Sequence, residues 1–90
     1  MATLHVLSHS PFADNRLASC LRLLGKDDGL LLTGDAVYAL LNADLAHLQG
    51  RVYALEEDVR ARSIDADAQL VDYPGFVQLS IDFDKVNTWL

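Results

Sequence analysis

Short apolar stretches alternate along the chain with segments of helical periodicity. Thr3 to Ser8 reads as a first strand, closed by Ser10-Pro11. Ser caps a helix well and Pro fits its first turn, so a helix is expected to follow, with Asp14 as a second candidate cap. Ala13, Leu17, Cys20, Leu21 and Leu24 recur at three- and four-residue spacing, and Gly25 is a natural stop. Gly29 to Thr33 is an unbroken apolar run, the pattern of a parallel strand covered on both faces. A second helix, capped by Asp35, is expected to reach His47-Leu48 with a break near Asn42, and Gly50 ends it. Arg51 to Leu55 predicts a third strand, and Val59 to Arg62 a short helical turn. Gln69 to Asp72 predicts a fourth strand, and Tyr73-Pro74-Gly75 opens a last helix through Phe76, Val77, Leu79 and Ser80. Val86 to Leu90 predicts an edge strand.

Strand and helix alternate throughout, which means βαβ units with right-handed crossovers. The expected fold is therefore α/β, a Rossmann-like three-layer sandwich around a mostly parallel sheet of four to five strands. Residues 1–90 are read as one domain, with no internal repeat, linker or low-complexity tract.

Composition narrows the function. A chain of 90 residues buries only roughly 60–65% of its unfolded surface, so its core is modest and a partner would help it. The net charge is −6, with only seven Lys and Arg in total. A direct nucleic-acid contact needs a basic stripe to displace counterions from phosphate, and an anionic membrane surface asks for the same. Neither partner is expected. Residues 1–10 lack a basic start and a long apolar run, so no signal peptide is expected, and no stretch approaches the ~20 apolar residues that span a bilayer. The single cysteine excludes an internal disulfide and suits a reducing cytoplasm.

In an open α/β sheet, ligands collect outside the carboxyl ends of the strands. Here those ends carry Ser8-His9-Ser10, Thr33-Gly34-Asp35, Glu56-Glu57-Asp58 and Asp72-Tyr73. This rim is acidic and would repel phosphate. There is no Gly-rich phosphate loop, so no nucleotide cofactor is expected. A phospho-receiver would need a longer chain and a late lysine, and Lys26 and Lys85 are not placed for it. The carboxylates read as helix caps and a solvated rim. His5, His9 and His47 have no metal-site spacing, so no metal is expected. Of the three, His9 stands in a strand-end loop, where functional residues collect.

Cys20 is the candidate with chemistry of its own. It shares a helical face with Leu17, Leu21 and Leu24, the pattern of a core thiol. It lies beyond the first helical turn, where the helix dipole acts. Arg16, four residues earlier, is the local group that could stabilise a thiolate.

The order of several short segments carries a resemblance. They are Leu4-His5-Val6-Leu7-Ser8, Ser10-Pro11-Phe12, Asn15, Leu17 and Ser19-Cys20-Leu21, then Leu30-Leu31-Leu32 and Gly34-Asp35-Ala36-Val37-Tyr38-Ala39. Val52-Tyr53-Ala54-Leu55, Asp58-Val59-Arg60-Ala61-Arg62, Val71-Asp72-Tyr73-Pro74-Gly75-Phe76-Val77 and the ending Thr88-Trp89-Leu90 follow in turn. Together they resemble the DsrH/TusB family over almost the whole chain.

The resemblance implies the small Rossmann-like sheet of the DsrE/DsrF/DsrH superfamily. It implies a B-type subunit in a cytoplasmic heterohexamer with related C-type and D-type subunits, two copies of each. Such a complex relays persulfide sulfur to a downstream acceptor protein, towards 2-thiolation of the tRNA wobble uridine. Its principal sulfur-carrying cysteine belongs to the D-type subunit, so the B-type chain is at most an accessory to the sulfurtransferase, not catalytic alone. In the Dsr system of sulfur oxidisers, the DsrH-type subunit carries a cysteine at the helix position that Cys20 matches, while some B-type chains lack it. Cys20 is thus a candidate persulfide carrier by resemblance, or a core residue of a scaffold subunit. Tyr38, Tyr53, Phe76 and Trp89 are candidates for packing or interface anchors.

Overall fold

The computed structural model describes residues 2–8, 16–42, 51–64 and 68–89. β1 (Thr3–Leu7) leads to α1 (Arg16–Leu23) and β2 (Gly29–Leu32). A 3₁₀ helix (Gly34–Tyr38) runs into α2 (Ala39–Asn42), followed by β3 (Val52–Leu55) and α3 (Glu56–Ala61). β4 (Gln69–Val71), α4 (Tyr73–Asp82) and β5 (Lys85–Trp89) complete the chain. The strands form one five-stranded sheet in the order β4-β3-β2-β1-β5, and every pair is parallel. The expected α/β architecture is what the chain adopts, with the predicted edge strand as β5.

This strand order decides where the helices go. The first three connections each step one strand in the same direction, from β1 out to β4. The last steps back across the whole sheet, from β4 to the far side of β1. With all crossovers right-handed, a reversal of direction puts the return helix on the opposite face. The packing agrees. Leu7, Leu30, Leu32, Val52 and Ala54 pack with Cys20 of α1, with Ala36, Val37 and Ala39, and with Val59 of α3. Leu4, Val6 and Leu31, which alternate with them along the strands, pack against Phe76 and Leu79 of α4 and against Phe83. Leu4, Leu7, Leu30, Leu31 and Leu32 are fully buried, and each contributes about 2 kcal/mol of transfer free energy.

Two glycines answer to specific neighbours. A Cβ on Gly29 would stand 2.7 Å from the Phe83 ring, so only glycine lets that ring lie across β2. Gly34 has φ +52°, in the left-handed region that other residues rarely enter.

The second helical segment differs from its expectation. Thr33, not Asp35, stands at its cap position, and its first five residues wind as a 3₁₀ helix. Asp35 instead pairs with Arg62 at 2.9 Å. The predicted continuation to His47-Leu48 lies outside the described residues. α3 starts at Glu56 rather than Val59, its acidic first turn complementing the helix dipole. α4 runs two residues beyond Ser80, to Asp82, and the Asp72 carboxylate accepts from the Gly75 N–H to cap it.

A buried polar chain fastens the last strand. The Trp89 indole N–H donates to His5 Nδ1 at 3.1 Å. An indole can only donate, so Nδ1 is unprotonated and the proton sits on Nε2. Nε2 then donates to Asp28 Oδ2 at 3.2 Å. Asp28 also accepts from the N–H groups of Thr3 and Gly25, both at 2.8 Å. Burial opposes the Asp28 charge, but the Gly25 and Thr3 amides and the His5 ring outweigh it and hold its pKa below the ordinary carboxylate range. The start of β5 is tied to the start of β1 as well: the Ala2 carbonyl accepts from the Asp84 N–H, and the Asp84 carboxylate accepts from the Ala2 N–H.

Asp28→Ala strands two amide donors and the His5 ring, and should cost about 2–4 kcal/mol in urea unfolding. Because the folded-state pKa of Asp28 is depressed, its contribution is complete above the unfolded value of about 3.9 and is lost as pH falls through the folded value. Stability measured from pH 6 down to pH 2 should therefore fall less steeply in Asp28→Asn than in the wild-type chain.

Candidate functional site

Cys20 is the fifth residue of α1 and points into the sheet. It is fully buried, among Leu7, Leu30, Leu32, Ala36 and Val37, with Leu21 and Leu24 flanking the cluster. Burial raises the thiol pKa, and the Asp28 carboxylate raises it further, to about 11. At pH 7 that leaves roughly one thiol in ten thousand ionised. In this state the sulfur behaves as a small apolar side chain. The side chains of Arg16 and Leu17, and residues His9 and His47, lie outside what is described, as do the expectations attached to them.

The carboxyl ends of the strands carry the acidic rim that the pattern predicts, and most of its carboxylates are engaged. Asp58 Oδ2 accepts from the Gly34 N–H at 2.8 Å, and its other oxygen lies 3.5 Å from Arg62. Arg62 bridges from there to Asp35 and stacks over the Tyr38 ring, 5.9 Å from its centroid. The Asp35 hydrogen bond, with both carboxylates nearby, holds the guanidinium pKa above its ordinary value. Glu56 pairs with Arg60, and Asp72 caps α4. These groups join the 3₁₀ helix to α3 and fix helix ends. Among the described residues, no cluster of His, Cys, Asp and Glu is arranged to hold a metal ion. No helix among them is long and apolar enough to cross a membrane.

Between the end of β3, α3 and the start of α4 the rim opens into a shallow cleft of about 240 Å³, lined by Leu55, Glu56, Glu57, Arg60, Asp72 and Tyr73. It does not include Cys20, which lies within the helix layer on the α1 side of the sheet. The structure therefore does not bring the thiol and the acidic rim together into one site.

The aromatic candidates all serve packing. Tyr38 and Trp89 lie against the cluster around Cys20, and Tyr53 and Phe76 against the one below α4. Sequence reasoning missed the role of Asp28, which sits in a run of charged turn residues with nothing to mark it as buried. It also missed the outer face of α4. Tyr73, Val77 and Ile81, at four-residue spacing, are all exposed, while Phe76 and Leu79 face the sheet. The signal was present, since an apolar helix with residues at both Phe76/Leu79 and Tyr73/Val77/Ile81 cannot bury both sets against one sheet.

Comparison with known proteins places this architecture. The family model for "DsrH like protein" matches residues 9–86. Protein TusB of Escherichia coli K12 is 37% identical over 95 aligned positions, covering 96% of this chain and 99% of the relative. Protein TusB of Escherichia coli O81 (strain ED1a) is 36% identical over the same extent. A family model spanning most of the chain, and relatives aligned nearly end to end, establish that the chain belongs to the DsrH-like family.

Proposed function

We propose that this chain is the B-type subunit of a cytoplasmic sulfur-relay complex supporting 2-thiolation of the tRNA wobble uridine. The observation that carries the proposal is its end-to-end similarity to TusB proteins. In this reading it assembles with related C-type and D-type subunits, two copies of each, and the complex hands sulfur to a downstream acceptor protein. The acidic chain suits contact with proteins rather than with RNA, since a net charge of −6 repels phosphate. The buried, protonated Cys20 suits a subunit that contributes structure while another supplies the reactive thiol.

A second reading gives Cys20 a sulfur-carrying role in sulfur oxidation, on the ground that it stands where DsrH-type chains carry a helix cysteine. Its thiolate would attack the outer sulfur of a donor persulfide, forming Cys20–S–SH and releasing the donor thiolate. The packing of Cys20 sets the condition for that step: α1 must first lift from β1 and β2.

Deleting the protein should lower 2-thiouridine in cellular tRNA, read by nucleoside mass spectrometry; unchanged thiolation would sink the first reading. Native Cys20 should react with a maleimide at least a hundredfold more slowly than in urea, as burial and a pKa of about 11 require. One added sulfur atom on Cys20 after incubation of the native chain with a persulfide donor would favour the carrier reading. Cys20→Ala chains that sustain both assembly and thiolation would favour the structural one.

A further inference from the structure

α4 is the only described helix on its side of the sheet, and it covers that side incompletely. A helix is about 10 Å across, whereas five strands at their usual spacing span about 19 Å. β5 lies at the margin, and its Val86, which pairs with buried Leu4 and shares that sheet face, remains 42% exposed. The outer surface of α4 is apolar as well. Tyr73, Val77 and Ile81 are 57%, 58% and 70% exposed and form one line along the helix, about 12 Å long. A contiguous apolar ridge of this kind on a small soluble domain marks a surface that another protein covers.

Charge tells what kind of protein. Glu57 and Asp72 lie in the cleft that Tyr73 borders, at the amino end of the ridge. Asp82 lies at its carboxyl end, and no residue of α4 is basic. Among the described residues, the one basic group lining the cleft, Arg60, is already paired with Glu56. A second copy of this chain docking ridge to ridge would set these carboxylates against their own kind, which is unfavourable.

We infer that the outer face of α4, together with the cleft at its amino end, is the docking surface for a different subunit, one that presents an apolar helix face flanked by Lys or Arg. This rests on the sulfur-relay reading, and it names which surface of the chain makes the assembly. The apolar centre supplies the buried contact, while the carboxylates at the two ends set its register and exclude acidic partners.

The test is co-expression of the full chain with its related C-type and D-type subunits, with assembly measured by native mass spectrometry and affinity in solution. Val77→Asp/Ile81→Asp, at exposed positions that leave the core intact, should weaken assembly at least tenfold. Glu57→Lys/Asp82→Lys should weaken it about tenfold and reduce its salt dependence. In the wild-type complex, α4 amides should exchange more slowly with deuterium than in the free chain. Full assembly by the Val77→Asp/Ile81→Asp chain, or unchanged α4 exchange in the complex, would overturn the surface and leave the relay reading standing. Unchanged affinity of the Glu57→Lys/Asp82→Lys chain would overturn the basic-flanked partner. A wild-type chain that joins neither subunit would overturn the relay reading, and this inference with it.

Discussion

The sheet reverses direction once, and most of the molecule follows from that reversal. Strands β1 to β4 are laid down side by side in chain order, and β5 then returns to the free edge of β1. Handed crossovers therefore place α1, α2 and α3 on one face and leave α4 as the one described helix on the other. The crowded face holds the larger core, in which Cys20 is sealed. The thin face places Leu4, Val6 and Leu31 under one helix whose outer side is still apolar. The same event thus produces a buried thiol on one side and an incompletely covered surface on the other.

The return also has to be held. β5 is an edge strand with four exposed residues, so apolar burial contributes little to its position. Trp89 supplies most of the anchor, packing its ring into the core and donating its indole N–H to His5. The chain continues through His5 to Asp28, whose carboxylate gathers the starts of β1 and β2. Every member has its partners, and no buried side-chain nitrogen or oxygen among the described residues is left without one. Burial of a charged carboxylate is tolerable because three donors converge on it.

The order of strands and helices was legible in the sequence because each element carries its own local signal. The leucine run of β2, the Asp72 cap and Pro74 of α4, and Gly25 after α1 all act within a few residues of themselves. What stayed hidden depends on residues far apart in the chain. Asp28 looks like one of a pair of turn aspartates, and only the approach of Thr3 and His5 makes it structural. Asp35 reads as a helix cap, yet Arg62, 27 residues later, takes it as an ion-pair partner. For Cys20 the apolar spacing on α1 pointed to the core, and the structure buries it there. Its neighbours Leu7, Leu30 and Leu32 come from two different strands. The outer face of α4 could have been read from its spacing alone, had the capacity of a single sheet face been weighed against the number of apolar side chains offered to it.

The pairing of β1 with β5 has a consequence for how the protein is made. Of the five described strands, β1 is made first and β5 last, and the two pair, with His5 and Trp89 84 positions apart in the sequence. Until residues 85–89 emerge, the hydrogen-bonding edge of β1 is open and His5 lacks its indole donor. A chain synthesised only as far as β4 can pair β1 with β2 and build the α1 face, yet it presents a bare parallel edge on β1 until β5 pairs with it. Such an edge is a template for mispairing with other nascent chains. The five-residue strand β5 is therefore what covers that edge, leaving β1 paired on both sides.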